Sequence, residues 1–393
     1  MANNISRLGL KYNPFEPAAS GAPVSDLWIP GRWKSKLDDF FEAMQHTEGP
    51  KAYAILGEYG SGKTYLLKYL ERQYLPDFRI RPFFFDNPGV QFYDLANKLL
   101  KNLGREEFAK SLWELLSPEL PSFQIPLWGV SFLTQLRSIQ KSRQAEKAIE
   151  SLAKGIISRE ITNDAEIAYK LARLVVDTAD RPYFEYKDFI AGRSGSFVAE
   201  GEEAPYFAAI IRTLKITNNV GAIAFLMDEF EEVSLQKRLS QKQAQDYLAT
   251  LKRLINLTER ENLWIIVSMT PQAAEVTSRL QPALWERFVS QGIREFQIPP
   301  LEDGEVNELI KHRIIPAQKQ GANSSELFPF SDEPAQFFRE DIKSSPRRLV
   351  KVCSFMIAKA AQDVTIQLPF SESFCKDIQD QLYPILSKSN ENA

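Results

Sequence analysis

The stretch Gly57-Glu58-Tyr59-Gly60-Ser61-Gly62-Lys63-Thr64 meets every fixed position of the phosphate-loop pattern G-x-x-x-x-G-K-[ST]. A chain carrying it is constrained at once, because the pattern works only as the turn between a buried strand and a helix. Both flanks are present. Ala52-Tyr53-Ala54-Ile55-Leu56 reads as a short buried strand, and Tyr65-Leu66-Leu67-Lys68-Tyr69-Leu70 as the start of a helix. Glycines let the backbone close around phosphate oxygens. Amides at a helix start, reinforced by the helix dipole, point at the anion. In that frame Lys63 reaches the outer phosphates and Thr64 offers its hydroxyl to Mg²⁺. The expected ligands are ATP and Mg²⁺, with Gly57 through Thr64 and the adjoining Tyr65 as nucleotide-binding residues.

A second apolar run, Ala222-Ile223-Ala224-Phe225-Leu226-Met227, is followed at once by Asp228-Glu229-Phe230-Glu231-Glu232. A buried strand that delivers carboxylates at its C-terminal edge matches the second nucleotide motif, Walker B. Asp228 is then the Mg²⁺ carboxylate and Glu229 the residue that orients the attacking water. The competing reading is an acidic helix start, where Asp and Glu are also favoured. Leu263 to Thr270 reads as a further core strand, Ile80 to Phe85 as another, and Ile293 to Ile298 as the last. Helical patterns lie between them: Phe92 to Leu103, Gln241 to Thr258, and a short one around Leu284 to Phe288. Alternation of this kind predicts an α/β fold with a parallel sheet covered on both faces. Ligands bind at the strands' C-terminal edge in such sheets, where Thr64, Asp228 and Thr270 all fall.

The remaining chain divides by composition. Residues 1–50 form an N-terminal arm, rich in Pro, Ala and Gly between Pro17 and Pro23, leading into a helix over Lys34 to Met44. Residues 51–300 form the nucleotide-binding core. Within it, 105–219 reads as a mostly helical insertion (Ser111 to Leu116, Phe132 to Ile157, Asp164 to Ala179), either extra scaffold or a partner surface. Residues 301–393 form a C-terminal helical lid, with helices over Glu302 to Ile315, Glu333 to Glu340, Pro346 to Ala361 and Phe370 to Leu386.

Bulk properties exclude several classes. No apolar run is long enough to span a bilayer, and the first residues lack the layout of a signal peptide. Cys353 and Cys375 are the only cysteines, and His46 and His312 the only histidines. That argues against a disulfide framework and a zinc site, and for a reducing, cytoplasmic setting. A net charge of -3 is not that of a polycation built to coat nucleic acid. It leaves room for a local basic face, for which Lys237, Arg238 and Lys242 are candidates and an ordinary solvated helix face is the equal alternative.

On these motifs the chain resembles the AAA+ ATPases, within them the branch of origin-recognition initiators, ExeA and the transposition regulator TnsC. Tyr12-Asn13-Pro14-Phe15 looks like that branch's N-P-F arm. Ile29-Pro30-Gly31-Arg32 looks like the segment it places beside the adenine, which adds Ile29 and Arg32 to the nucleotide site. By the same resemblance Thr270 is the sensor 1 residue, with Ser268 as the alternative, and Arg287 is the arginine finger, with Arg279 as the alternative. Arg347, in Ser345-Pro346-Arg347-Arg348-Leu349, is similar to the sensor 2 arginine of the lid. The implied catalytic set is Lys63, Glu229, Thr270, Arg287 and Arg347.

The resemblance implies a homo-oligomer, ring or filament, whose sites are completed across subunit boundaries. It implies an ATP-switched regulator on duplex DNA that recruits an effector protein, as in transposition. Two departures count. The residues after Ala361 are too few for the winged helix that initiators add, so any DNA binding is expected to be independent of base sequence. The helical insertion, with Asp228-Glu229-Phe230-Glu231 and Ser268-Met269-Thr270-Pro271, is similar to ATP-binding proteins of BREX-type phage-defence loci. The alternative function is therefore a signalling or defence ATPase that answers to a protein partner without DNA. A metabolic kinase is disfavoured by the lid and arginine pattern.

Overall fold

The computed structural model describes residues 4–15, 28–46, 51–87, 98–99, 102–116, 134, 137, 145–177, 205–234, 240–289, 295–319 and 325–391. Its centre is a five-stranded sheet of β1 (Ala52–Leu56), β2 (Ile80–Phe85), β3 (Ala222–Met227), β4 (Leu263–Met269) and β5 (Glu295–Gln297), in the order β2-β3-β4-β1-β5. All pairings are parallel. Every residue of β1, β3 and β4 is buried, as expected of strands covered on both faces. Pro82 lies in β2, at the sheet's edge, where a missing N–H does no harm.

Alternate residues of each strand feed two separate cores. Ala54, Leu56, Phe225, Ile265 and Val267 face one layer. Tyr53, Ile55, Leu226, Trp264 and Ile266 face the other. The helices, in chain order, are α1 (Gly31–His46), α2 (Lys63–Tyr69), α3 (Arg105–Leu116), α4 (Ala145–Ser158), α5 (Ala165–Asp177), α6 (Pro205–Asn218) and α7 (Gln241–Glu261). They continue with α8 (Pro271–Leu280), α9 (Pro282–Val289), α10 (Asp303–Ala317), α11 (Pro346–Gln362) and α12 (Glu372–Glu391).

The insertion helices α3 to α6 lie on the first face with α7, α8 and α9, through Leu112, Leu152, Leu171, Val175 and Ile211. Arg212 of α6 donates to Glu261 at the end of α7 at 2.8 Å. The insertion is thus part of the sheet's own covering layer. Its expected helix over Phe132 to Ile157 is described as a continuous element only from Ala145. Most of the one expected over Phe92 to Leu103 lies outside the described residues.

The second face carries α1, α2 and the C-terminal helices. Phe40 and Phe41 of α1 meet Tyr53 and Trp264, with ring centroids 5.8 and 5.9 Å apart. The arm ahead of α1 joins the same core, against the C-terminal helices of the lid. Lys11 N–H donates to Ala317 O at 2.8 Å and Lys319 N–H to Gly9 O at 2.8 Å. Asn13 Nδ2 donates to Ser354 O at 3.0 Å, and Phe15 sits edge-on to Phe330 at 5.9 Å. The helix expected over Glu333 to Glu340 is instead a 3-10 turn, Pro334–Phe337, and one helical turn, Glu340–Lys343. Phe338 (φ -94, ψ 141) and Arg339 (φ -71, ψ 153) are extended and separate the two turns.

Candidate nucleotide site

The loop after β1 is fixed at its start by Gly57, whose N–H donates to Met269 O of β4 at 3.2 Å. The glycines are steric requirements here. A Cβ on Gly57 would lie 2.4 Å from Ser61 Oγ. Gly60 has φ +82 and Gly62 φ +104, in the left-handed region that side chains disfavour. Gly62 is the N-cap of α2, so the first turn of that helix opens onto the loop. Lys63 follows, 8% exposed, its Nζ donating to Gly57 O at 2.8 Å and Glu58 O at 3.3 Å. Burial lowers its pKa, opposed by the charges of Glu231, Asp228, Glu58 and Glu229. Thr64 is exposed beside it. The Tyr65 hydroxyl accepts from Trp28 N–H at 2.9 Å, and burial raises its pKa.

The carboxylates stand two strands away, at the tip of β3. Met227 pairs with Val267, so the next residues bring Asp228 beside Ser268. Asp228 is 3% exposed. Its Oδ1 accepts from Ser268 Oγ, and its N–H donates to Phe85 O at 2.9 Å. Phe230 N–H donates to Ser268 O at 3.1 Å, which pins the turn to β4. Glu229 between them has φ +50, a strained conformation for a residue with a side chain, and is exposed. Partial desolvation of its carboxyl, then the charges of Glu232, Asp228, Glu231 and Asp86, raise its pKa.

Of the sensor 1 candidates, Ser268 is the one bonded to Asp228. Thr270 lies just beyond β4 as the N-cap of α8, its Oγ1 accepting from Ala273 N–H at 3.2 Å. Arg287 is half-buried on α9, and Arg279 is exposed on α8 within 3.7 Å of Glu275. Arg347, at the start of α11, is at the loop itself: its guanidinium lies 4.8 Å from the Tyr59 ring centroid and donates to Tyr59 Oη.

Ile29 is buried in the second core. Arg32 is tied to the start of the lid, donating to Pro300 O at 2.7 Å and to both oxygens of Glu305 at 3.0 and 2.9 Å, with Glu302 3.1 Å away. These bonds raise the Arg32 pKa, first through Glu305. Burial opposes ionisation of Glu305, but hydrogen bonds from Arg32 and the Glu302 amide outweigh it and hold that carboxyl below its usual range. Arg32 therefore links α1 to the junction between core and lid.

The residues present fit a triphosphate with a divalent cation. Ser61 Oγ is buried in the loop with no hydrogen-bond partner among the described residues, beside a cradle that a Cβ at Gly57 would fill. The hard oxygen donors are the Thr64 hydroxyl and Asp228, a sparse set of the kind Mg²⁺ takes when phosphates and waters complete its shell. Ser345 and Trp33 were given no role by sequence reasoning, and Tyr59 was named only as part of the loop, without its contact to Arg347. Trp33 packs beside the loop, 3.8 Å from where a Gly62 Cβ would be. The only sequence signal at Ser345 is its place before Pro346, which marks a helix start.

No family model and no curated protein matches the chain. Among solved structures it is similar to Cdc6p from Pyrobaculum aerophilum, at 13% identity and TM-score 0.44 over 89% of this chain and 65% of that one. It is similar to the Aeropyrum pernix ORC1 protein in complex with DNA, at 13% identity and TM-score 0.43 over 95% and 70%. It is also similar to the Aeropyrum pernix ORC2 protein in ADPNP-ADP complexes, at 12% identity and TM-score 0.45 over 95% and 72%. The chain thus spans just under two thirds of the first of these, 65%. The fold is α/β, a parallel sheet carrying a phosphate loop at its C-terminal edge under a helical C-terminal unit, as the sequence resemblance implies.

Proposed function

We propose that the chain binds and hydrolyses ATP with Mg²⁺ and uses the hydrolysis as a switch in an oligomeric regulator. The observation that carries this reading is the placing, along one edge of the sheet, of a glycine-required loop after β1, a buried lysine folded onto it, and a buried carboxylate at the tip of β3, bonded to Ser268 of β4 between them. Lys63 and the loop amides bind the phosphates, Lys63 exchanging its carbonyl partners for phosphate oxygens. Thr64 and Asp228 are the residues that would hold Mg²⁺, which supplies charge neutralisation on the phosphates. Glu229 is exposed, and its raised proton affinity suits a group that orients water and accepts its proton. Ser268 keeps Asp228 in place. Arg287 acts in a neighbouring subunit's site, and Arg347 couples the lid to the loop. Lys63→Ala is expected to abolish binding of a fluorescent ATP analogue while leaving the circular dichroism spectrum unchanged; normal affinity and turnover would overturn the reading.

The resemblance extends the proposal to duplex DNA and an effector protein. A ring or filament would repeat one modest basic face, so that weak phosphate contacts add along the duplex. Lys242 is exposed at the start of α7; Lys237 and Arg238 lie outside the described residues. ATPase rate is expected to rise with duplex DNA of any sequence at low salt and to lose that rise at moderate salt. No response at low salt would move the reading to a signalling or phage-defence ATPase with a protein partner.

A further inference from the structure

Helix α11 of the lid starts on the phosphate loop. Ser345 O accepts from Leu349 N–H at 3.0 Å inside the helix, but the Ser345 hydroxyl and the Arg347 amide turn to the loop. Ser345 is the N-cap, with extended φ -124 and ψ 101, yet its side chain makes no cap hydrogen bond. A serine at that position ordinarily accepts from an amide of the first turn. Here Ser345 Oγ donates to Gly60 O at 3.3 Å, and Arg347 N–H donates to the same oxygen at 3.3 Å. Ser345 is 8% exposed, so the contact is sheltered from water. Gly60 is fitted to it: a Cβ there would come within 2.8 Å of Ser345 Oγ and 3.2 Å of Arg347 Cβ. The Arg347 guanidinium over Tyr59 adds a further point of attachment at the preceding residue of the loop.

We propose that Ser345 is a positioning residue that latches the lid to the phosphate loop through the Gly60 carbonyl, and so sets nucleotide affinity without touching nucleotide. The inference rests on the reading of this loop as an ATP site. The physical link is the peptide plane. Two donors from α11 fix the direction of the Gly60 carbonyl, and with it the course of the loop whose amides must converge on phosphate. Pre-ordering of that kind lowers the cost of binding and leaves the chemical step alone. The same latch makes the lid's position depend on the loop, because any motion of α11 must release or drag Gly60 O.

The test is Ser345→Ala with Ser345→Thr as the conservative control. Amide hydrogen exchange, measured without nucleotide, should speed up in residues 57–64 of Ser345→Ala and return towards wild type in Ser345→Thr. The dissociation constant for ATPγS and the KM for ATP should rise about 2–10-fold, the range that the net worth of one hydrogen bond spans, with kcat within about two-fold. Unchanged exchange in 57–64 overturns the latch. Faster exchange confined to the first turn of α11, with unchanged ATPγS affinity, also overturns it and leaves Ser345 as a local helix-start residue. If the wild type binds no ATPγS, the ATP reading fails, and the exchange measurement still decides whether the latch exists.

Discussion

Glu229 is held where an ionised carboxylate is disfavoured. Its backbone is in the left-handed region, and partial desolvation and neighbouring carboxylates raise its pKa above the ordinary 4.5. A carboxyl with a folded pKa above its unfolded value binds more protons folded than unfolded between the two. The fold therefore loses stability as pH rises across that interval, and the loss persists above it. Glu229→Gln should remove this loss. The variant is expected to melt above the wild type at pH 7, with the difference closing as pH falls towards 4, in thermal scans without nucleotide. The same substitution should retain ATP binding and cut hydrolysis about 10²–10⁴-fold, the usual worth of a positioned general base. Hydrolysis at the wild-type rate would reduce Glu229 to a solvated carboxylate at a turn.

Strands β3 and β4 bring Asp228 and Ser268 together by register alone, since each is the residue next to a paired position. The hydroxyl is the sole described side-chain donor to a carboxylate that is almost fully buried. Ser268→Ala leaves that oxygen without its partner, a loss of about 1–3 kcal/mol. A lower urea midpoint is expected, recovering in part when Mg²⁺ and ATPγS are added; an unchanged midpoint would mean that water replaces the hydroxyl at no cost. β1 and β3 were legible in the sequence because they are buried on both faces and read as unbroken apolar runs, and β2 because its aromatic run ends at a turn signal. Ala52–Leu56, Ile80–Phe85 and Ala222–Met227 are observed with the expected bounds. The loop's glycines were legible because backbone geometry demands them. The partners of Arg32, Ser345 and Tyr59 were not, because each lies across the fold at a separation that no local pattern encodes. Arg32 resembles a nucleotide-site residue in its segment, whereas its observed bonds are to Pro300 and Glu305.

In the proposed function Arg287 of α9 serves a neighbouring subunit, which would make assembly part of the chemistry. Arg287→Ala is expected to lower turnover roughly 10³-fold or more, as removal of an arginine finger does, while sparing ATP binding. Mixing it with Lys63→Ala subunits should restore activity at mixed boundaries. Wild-type protein that stays monomeric with ATPγS at micromolar concentration, by light scattering, would remove this model. The lid's integrity depends in turn on the arm. Leu8, Leu10 and Phe15 are buried, each worth about 1.5–3 kcal/mol in apolar burial. Removing residues 1–15 is expected to lower the melting temperature and admit protease cleavage between residues 303 and 391; an unchanged digestion pattern would show the arm to be dispensable.

That docking of the arm also has a consequence in time. Arg7 donates to Ile366 O, 359 residues further along the chain. A ribosome adds about 5–20 residues per second, so roughly 20–70 s separate the two during synthesis. Through that interval the sheet and its covering helices can form, while Leu8, Leu10 and Phe15 have no lid to enter and remain open to chaperones. The arm is thus made well before the lid that buries it, and is among the last parts of the fold to be covered.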